Sequence, residues 1–487
     1  MAGLVGRSQA ESSRVKGIIS SDILEVLVIG GALLQFFADV SSNNHDLLHT
    51  SKTLCINPAT SLFPESLARN PRCLALNPKL ESTKPPKMVE NSNLRLLMSL
   101  DFDSARLPNP YLNADHEAWR SQLRRFIDKE IMPYADDWDE AGKIPDELWS
   151  KAGSAGILGL GYPEEFGGTS EGIDIWYHNI LNEELTRSSV GGVGSTLMVH
   201  GIGLPPLVNF ASEAIKREVA PAVIRGEKRI SLAITEPSAG SDVAQIATTA
   251  VRDGDHYVIN GSKTYITGGM NANWFTTAVR TGGEGSTGVS VVLIPADAEG
   301  VSRTALDRKQ GWWCSDTATI YFDNVRVPVG NLIGEENCGF KVIMKNFNSE
   351  RMMMSAAMEG FSRVCLEDAA AWAQERKTFG KRLADHQVIR HKIAEMKQRI
   401  NATQAYLQHC SYSLSQGKPN AGDIAMLKVQ SSQTMEFCAR EAMQILGGIA
   451  YMRGSRVERI YREVRVNAIG GGSEEIMRDL ASRQYGL

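Results

Sequence analysis

AITEPSAGSD, Ala233–Asp242, is the stretch on which the reading of this chain turns. A β-type run ends there in a turn built of small and hydroxyl-bearing residues. Ala239 and Gly240 let the main chain come close to a ligand, while Thr235 and Ser241 bring hydroxyls able to donate to carbonyl oxygens, ring nitrogens or phosphates. The segment suits a flat, polyanionic ligand held by backbone amides. It also marks a change of period. Upstream, Trp119, Leu123, Phe126, Ile127 and Ile131 recur at helical spacing before Pro133. Further helical patterns cover 146–152, 173–187 and 194–210, with the loop GYPEEFGG (Gly161–Gly168) between them.

Downstream of Arg229 the pattern becomes that of strands. Asp253-Gly254 and Asn260-Gly261 flank HYVI and predict two tight hairpins, and VSVVLIPA and TATIYFDNVRV continue the β signal. An antiparallel barrel or sandwich is expected. After Asn337 a helical stripe runs through Phe340, Ile343, Met344, Phe347, Met354, Ala357, Met358, Phe361 and Cys365. Helices over 385–416 and 420–446 and a last one from Glu474 complete a predicted bundle. The expected fold is therefore α+β: an N-terminal helical domain (98–227), a middle β domain (228–333) and a C-terminal helical bundle (334–487). Residues 1–97 are expected to be a disordered or non-native extension, with KPPK (Lys84–Lys87) as linker.

With 487 residues, 43% of them hydrophobic, the chain can bury a large core. A formal charge of −4 with dispersed Lys and Arg offers no basic face for nucleic acid. Seven cysteines form no CxxC, which points to reduced, buried thiols, and the nine histidines show no HExxH spacing for a metal. The apolar run Leu24–Phe37 is too short for a membrane span and contains Glu25, and its VLVIGGA lacks GxGxxG spacing. Arg7, Arg14 and Lys16 among serines resemble a transit peptide, a signal that Glu11, Asp22 and Glu25 dilute. Bacterial cytoplasm and mitochondrial matrix both fit.

Taken with TYITGG (Thr264–Gly269), ERKTFGKRLADHQ (Glu375–Gln387), QILGG (Gln444–Gly448) and GGGSEEIMRDL (Gly470–Leu480), the opening segment resembles the acyl-CoA dehydrogenase family of flavoproteins. The resemblance runs from about residue 100 to the C-terminus. It implies FAD, oxidation of an acyl-CoA to a trans-2-enoyl-CoA, electron-transfer flavoprotein as acceptor, and a homo-oligomer, usually a tetramer. Many relatives carry their catalytic base in the glycine loop, where this chain has Gly471, so a glutamate is missing there. FNSERMMMSA (Phe347–Ala356) resembles the isovaleryl and long-chain branch, whose base sits on the first bundle helix, and this assigns Glu350. Glu350 falls on the apolar stripe, where lost hydration raises its pKa; read in isolation, a helix glutamate here is a solvated one paired to Lys345 or Arg351, and the family resemblance with the missing loop glutamate reverses that.

For FAD, the resemblance implies contacts from Leu232, Ala233, Ile234, Thr235, Ser241, Tyr265, Ile266 and Thr267. From a neighbouring subunit it implies Arg376, Phe379, Gln387, Gln444, Gly447 and Gly448, and after the loop Ser473 and Glu475. Tyr265 stands where relatives commonly have Trp, and Ala450 replaces a glycine of the usual string. On the residues alone, Tyr265 is also an ordinary strand aromatic and Arg376 a helix-terminal charge. Ser241, Arg351 and the Gly471 amide are expected to meet substrate. Two rivals stay open at this stage: an acyl-CoA oxidase, and a catalytically silent acyl-CoA or flavin scaffold.

Overall fold

The computed structural model describes residues 100–487, so the extension expected over 1–97, with the run 24–37 and KPPK in it, lies outside the described residues. Among the described residues seven helices come first: α1 (Ala114–Glu130), α2 (Ala135–Ala141), α3 (Glu147–Ser154), α4 (Ile175–Leu185), α5 (Gly191–Leu197), α6 (His200–Phe210) and α7 (Glu213–Ile224). The Asn113 side chain starts α1 by accepting from the amides of Asp115 and His116. Pro133 ends it in a short 3₁₀ turn. Leu123 and Ile127 of its inner face pack with Leu148 and Trp149 of α3 and Ile180 of α4. The helix expected over 194–210 is instead two, α5 and α6, because the glycines of this stretch weaken helical continuity. One of them earns its place by contact: a Cβ on Gly203 would stand 3.1 Å from the Ile230 carbonyl oxygen, so α6 lies directly on the first strand.

The β domain holds β1 (Ile230–Ala233), β2 (Thr249–Asp253), β3 (His256–Thr267), β4 (Trp274–Arg280), β5 (Val289–Pro295), β6 (Val301–Ala305) and β7 (Thr317–Pro328). Hydrogen bonding orders them β1-β4-β2-β3-β7-β6, with β5 on β4. Most ladders are antiparallel as expected, but β4 runs parallel to β1 and, at Thr249 and Arg280, to β2. Strand β5 shows why the sheet is central. Val289, Val291 and Leu293 pack toward α6, α7 and the bundle, whereas Val292 and Ile294 pack inside the sheet.

One expected hairpin is absent. Asp253-Gly254 does turn β2 into β3, but Asn260-Gly261 sits inside the continuous twelve-residue β3 as a bulge. Gly261 has φ +143°, and a Cβ there would meet Thr248 Oγ1 at 2.6 Å. The glycine thus serves close strand approach and local twist rather than chain reversal.

The bundle begins with α8 (Gly339–Glu375), followed by the small hairpin β8 (Lys377–Thr378) and β9 (Lys381–Arg382). After these come α9 (Gln387–Ser415), α10 (Ala421–Leu446), α11 (Arg456–Ile469) and α12 (Glu474–Gln484). Helix α11 was not anticipated; its many charged residues mask an inner row of Val457, Ile460 and Val464. Met358, Phe361 and Cys365 of α8 pack with that row and with Met435, Cys438 and Ala442 of α10. Of the seven cysteines, Cys314, Cys365, Cys410 and Cys438 are buried free thiols.

Candidate functional site

The AITEPSAGSD turn is tied down from beneath. Lys263 of β3, wholly buried, donates to Glu236 Oε1 at 2.7 Å and to the Ile234 carbonyl at 3.0 Å. Glu236 in turn accepts from the amides of Ala247 and Thr248. Burial lowers Lys263 to about 8. Burial would raise Glu236, but Lys263 and these donors hold it below its ordinary value. The buried pair ties a polar, glycine-bearing turn to the sheet at several points, and nothing in the sequence pattern announced it.

From this base the expected contacts diverge. Ala233 and Ile266 turn their side chains into the sheet interior and Ile234 into the seam under α8, so these three can offer a ligand only backbone. The hydroxyls of Thr235, Ser241, Tyr265 and Thr267 have no hydrogen-bond partner among the described residues. A Cβ added at Gly240 would touch only Thr235 Cγ2, at 3.9 Å, so the space over the turn is open. Next to it the ladder between β3 and β7 slips between Lys263 and Ile266. The slip puts Tyr265 at φ +59°, rare for an aromatic, and leaves its ring 71% exposed. Free hydroxyls, reachable amides and a projecting aromatic face fit an FAD.

Helix α8 packs on the same apolar seam as the turn, through Ile343, Met344 and Phe347. One turn further, Glu350 is 8% exposed. Its Oε1 accepts from Asn346 Nδ2 at 2.7 Å, and that amide also reaches the Ile202 carbonyl of α6 at 3.2 Å. No cation makes a salt bridge to it among the described residues. Burial pushes its pKa up to about 7, against the smaller opposing effects of Arg351 and Asn346. The solvated pairing with Lys345 or Arg351 is therefore not what forms. Asn346 went unnoticed in the sequence, although its i, i+4 spacing to Glu350 was a usable signal.

Met354 lies on the same face, four residues on. It abuts the triple-glycine loop: a Cβ on Gly471 would stand 2.7 Å from Met354 Sδ. Gly471 and Gly472 have φ +67° and +105°. Arg351 is buried and donates through Nε to the Gly471 carbonyl at 3.2 Å and through Nη1 to Asn348. Its guanidinium thus meets the loop. Ser473 caps α12 by accepting from the Ile476 amide, and Glu475 is exposed beside it.

The remaining expected residues stand elsewhere. Arg376 is 26 residues beyond Glu350 along α8, roughly 39 Å at helical rise. It is exposed, as is Gln387, while Phe379 is 97% exposed at φ +50° in the β8–β9 hairpin. Gln444, Gly447 and Gly448 form the exposed C-terminus of α10, with Tyr451 and Met452 uncovered nearby. Among the described residues no helix is long and apolar enough to cross a membrane, and no group of metal-binding side chains gathers.

Three family models match in succession: the acyl-CoA dehydrogenase N-terminal domain over 113–227, the middle domain over 231–325 and the C-terminal domain over 337–486. An acyl-CoA dehydrogenase of Alternaria alternata (AFT10-1) is 37% identical over 77% of this chain and 93% of its own length. The mitochondrial long-chain specific acyl-CoA dehydrogenase of Sus scrofa is 32% identical over 76% of this chain and 86% of its own. The crystal structure of a probable acyl-CoA dehydrogenase from Mycobacterium abscessus superposes with a TM-score of 0.75. It shares 39% identity and covers 77% of this chain and 99% of that one.

Proposed function

We propose, on the premise that this chain belongs to the acyl-CoA dehydrogenase family, that Glu350 is the base that takes the α proton of a bound acyl-CoA and that the product is the trans-2-enoyl-CoA. Membership makes the protein an FAD-dependent oxidoreductase acting on acyl-CoA. Bound FAD supplies the hydride acceptor for the β carbon. The chain's own residues supply the rest. Backbone of 232–235 and 266, the hydroxyls of Thr235, Ser241 and Thr267 and the Tyr265 ring hold the flavin. Glu350 removes the proton in a slot poor in water, and the Gly471 amide donates to the thioester oxygen as negative charge gathers there. Arg351 acts on the substrate through the loop it holds.

The single observation carrying this reading is the state of Glu350: buried, raised to about 7, with no salt bridge among the described residues, and beside a loop with an amide to offer. A base poised near the working pH is what α-proton abstraction needs. Arg376, Phe379, Gln387, Gln444, Gly447 and Gly448, all exposed, reach the FAD of a neighbouring copy in a homotetramer; Arg376 is roughly 39 Å along α8 from Glu350. Straight medium or long acyl chains are the expected substrates. The electron acceptor is electron-transfer flavoprotein.

Anaerobic titration of the flavin-loaded protein with acyl-CoAs of increasing length tests this. Bleaching of the flavin band with medium or long chains is expected, and absence of bleaching with every length would reject the reading. Rapid peroxide formation on admitting air would reject the acceptor.

A further inference from the structure

The triple-glycine loop is held by an unusual group. Lys428 of α10 is fully buried and makes no salt bridge among the described residues. Its Nζ instead donates to the carbonyls of Ala468 and Gly472, each at 2.8 Å. Burying an ammonium with no carboxylate in contact is costly: burial lowers Lys428 to about 8, with the charge of Glu474 opposing. Ala468 O belongs to the last turn of α11, where carbonyls lack intrahelical partners and the helix dipole is negative. Gly472 O lies on the other side of Gly471. One cation therefore clasps both ends of the segment that carries the Gly471 amide, and Arg351 takes the Gly471 carbonyl from α8. Ser432 and Gln433, a turn beyond Lys428, bind Glu474 at the start of α12 and anchor the same loop from its far side. Two successive glycines at positive φ have many alternative conformations, and charge-assisted bonds at both ends remove most of them.

We propose that Lys428 is a positioning residue for the reaction. It acts through the backbone, fixing the Gly471 amide where the thioester oxygen becomes an enolate oxygen. This rests on the reading of Glu350 and Gly471 given above. A suitable probe is a 3-thiaacyl-CoA, whose sulfur occupies the β position, so that no hydride can leave and only α-hydrogen exchange with D2O is observed.

In Lys428→Met, exchange is expected to slow about 30-fold, somewhat less than loss of an oxyanion donor itself costs. The probe's Kd should change less than about threefold, since the interaction belongs to the enolate-like state. Lys428→Gln, a neutral donor, should recover part of the rate. Wild-type exchange in a folded, flavin-loaded Lys428→Met, or a loss lying wholly in Kd, would overturn the proposal. If Lys428→Met does not fold, a crystal structure of the wild-type protein with the probe decides. Lys428 Nζ on both carbonyls and the Gly471 amide on the thioester oxygen support the inference, and an amide turned away overturns it. Wild-type exchange in Glu350→Gln would instead reject the base while leaving the clasp standing.

Discussion

Two stretches of α8, nine residues apart, each bury a glutamate and put it to opposite use. Glu359 is completely enclosed and accepts from Arg363 Nε at 2.9 Å; Arg363 also lies 3.1 Å from Glu183, which Arg120 reaches from α1. Burial raises Glu359, with Arg363 opposing and Glu183 adding to the rise. Glu350 is raised by burial too, but among the described residues its only hydrogen-bond partner is an uncharged amide, and a small part of it stays accessible. Burial alone therefore does not make a base. What separates the two is whether the carboxylate is consumed by a cation inside the fold or left available to a ligand.

Replacing each glutamate by glutamine should separate the two most strongly. Glu350→Gln should lower turnover by about 10³-fold, within the range for loss of a general base, whereas Glu359→Gln should leave the chemistry of the folded enzyme nearly intact. Steady-state kinetics on both variants reads this. Stability should show the inverse ranking. Removing Glu359 takes from buried Arg363 one of its two carboxylate partners and should cost about 1–3 kcal/mol in denaturant unfolding. Glu350→Gln should stabilise the protein by up to about 3 kcal/mol at pH 8. The sign follows from Glu350's raised pKa: the folded chain holds this proton more tightly than the unfolded one. Its favourable contribution is full below the ordinary carboxyl value of 4.5 and is lost as pH rises through about 7. Unfolding curves of wild type and Glu350→Gln should thus converge in acid and separate near neutrality.

A smaller effect tests the loop. Gly471→Ala imposes a side chain at φ +67° and against Met354, which should destabilise by about 1–2 kcal/mol and lower kcat more than it raises KM. The mildest change sharpens the comparison. Asn346→Leu removes the one hydrogen bond that favours the Glu350 carboxylate, so the acidic limb of kcat/KM should move up by about one pH unit. An unchanged pH profile in that variant would show that Asn346 serves packing alone.

Much of this was legible in the chain itself. The 3.6-residue stripe from Phe340 to Cys365 put Glu350 on the inner face of a helix, where it is found. The same method misjudged Asn260-Gly261, because a dipeptide that favours a hairpin also tolerates a bulge, and only strand partners choose between them. It missed α11 because the charged residues of this helix form ion pairs with α2 instead of facing solvent: Arg462 with Asp139 and Arg459 with Asp136.

The order of helical, β and helical domains, the family and the candidate base could be read from the residues alone, because periodicity and short motifs are local and report which face of one element is buried. That Tyr265 projects from a slipped ladder, that Asn346 holds Glu350, that Lys428 clasps the glycine loop and that Arg376 stands far from the slot of its own chain emerged only with the packed fold. Those facts depend on where a carbonyl or amide from a remote segment comes to rest. Such meetings follow no spacing rule along the chain, since they are settled by how whole helices and strands pack.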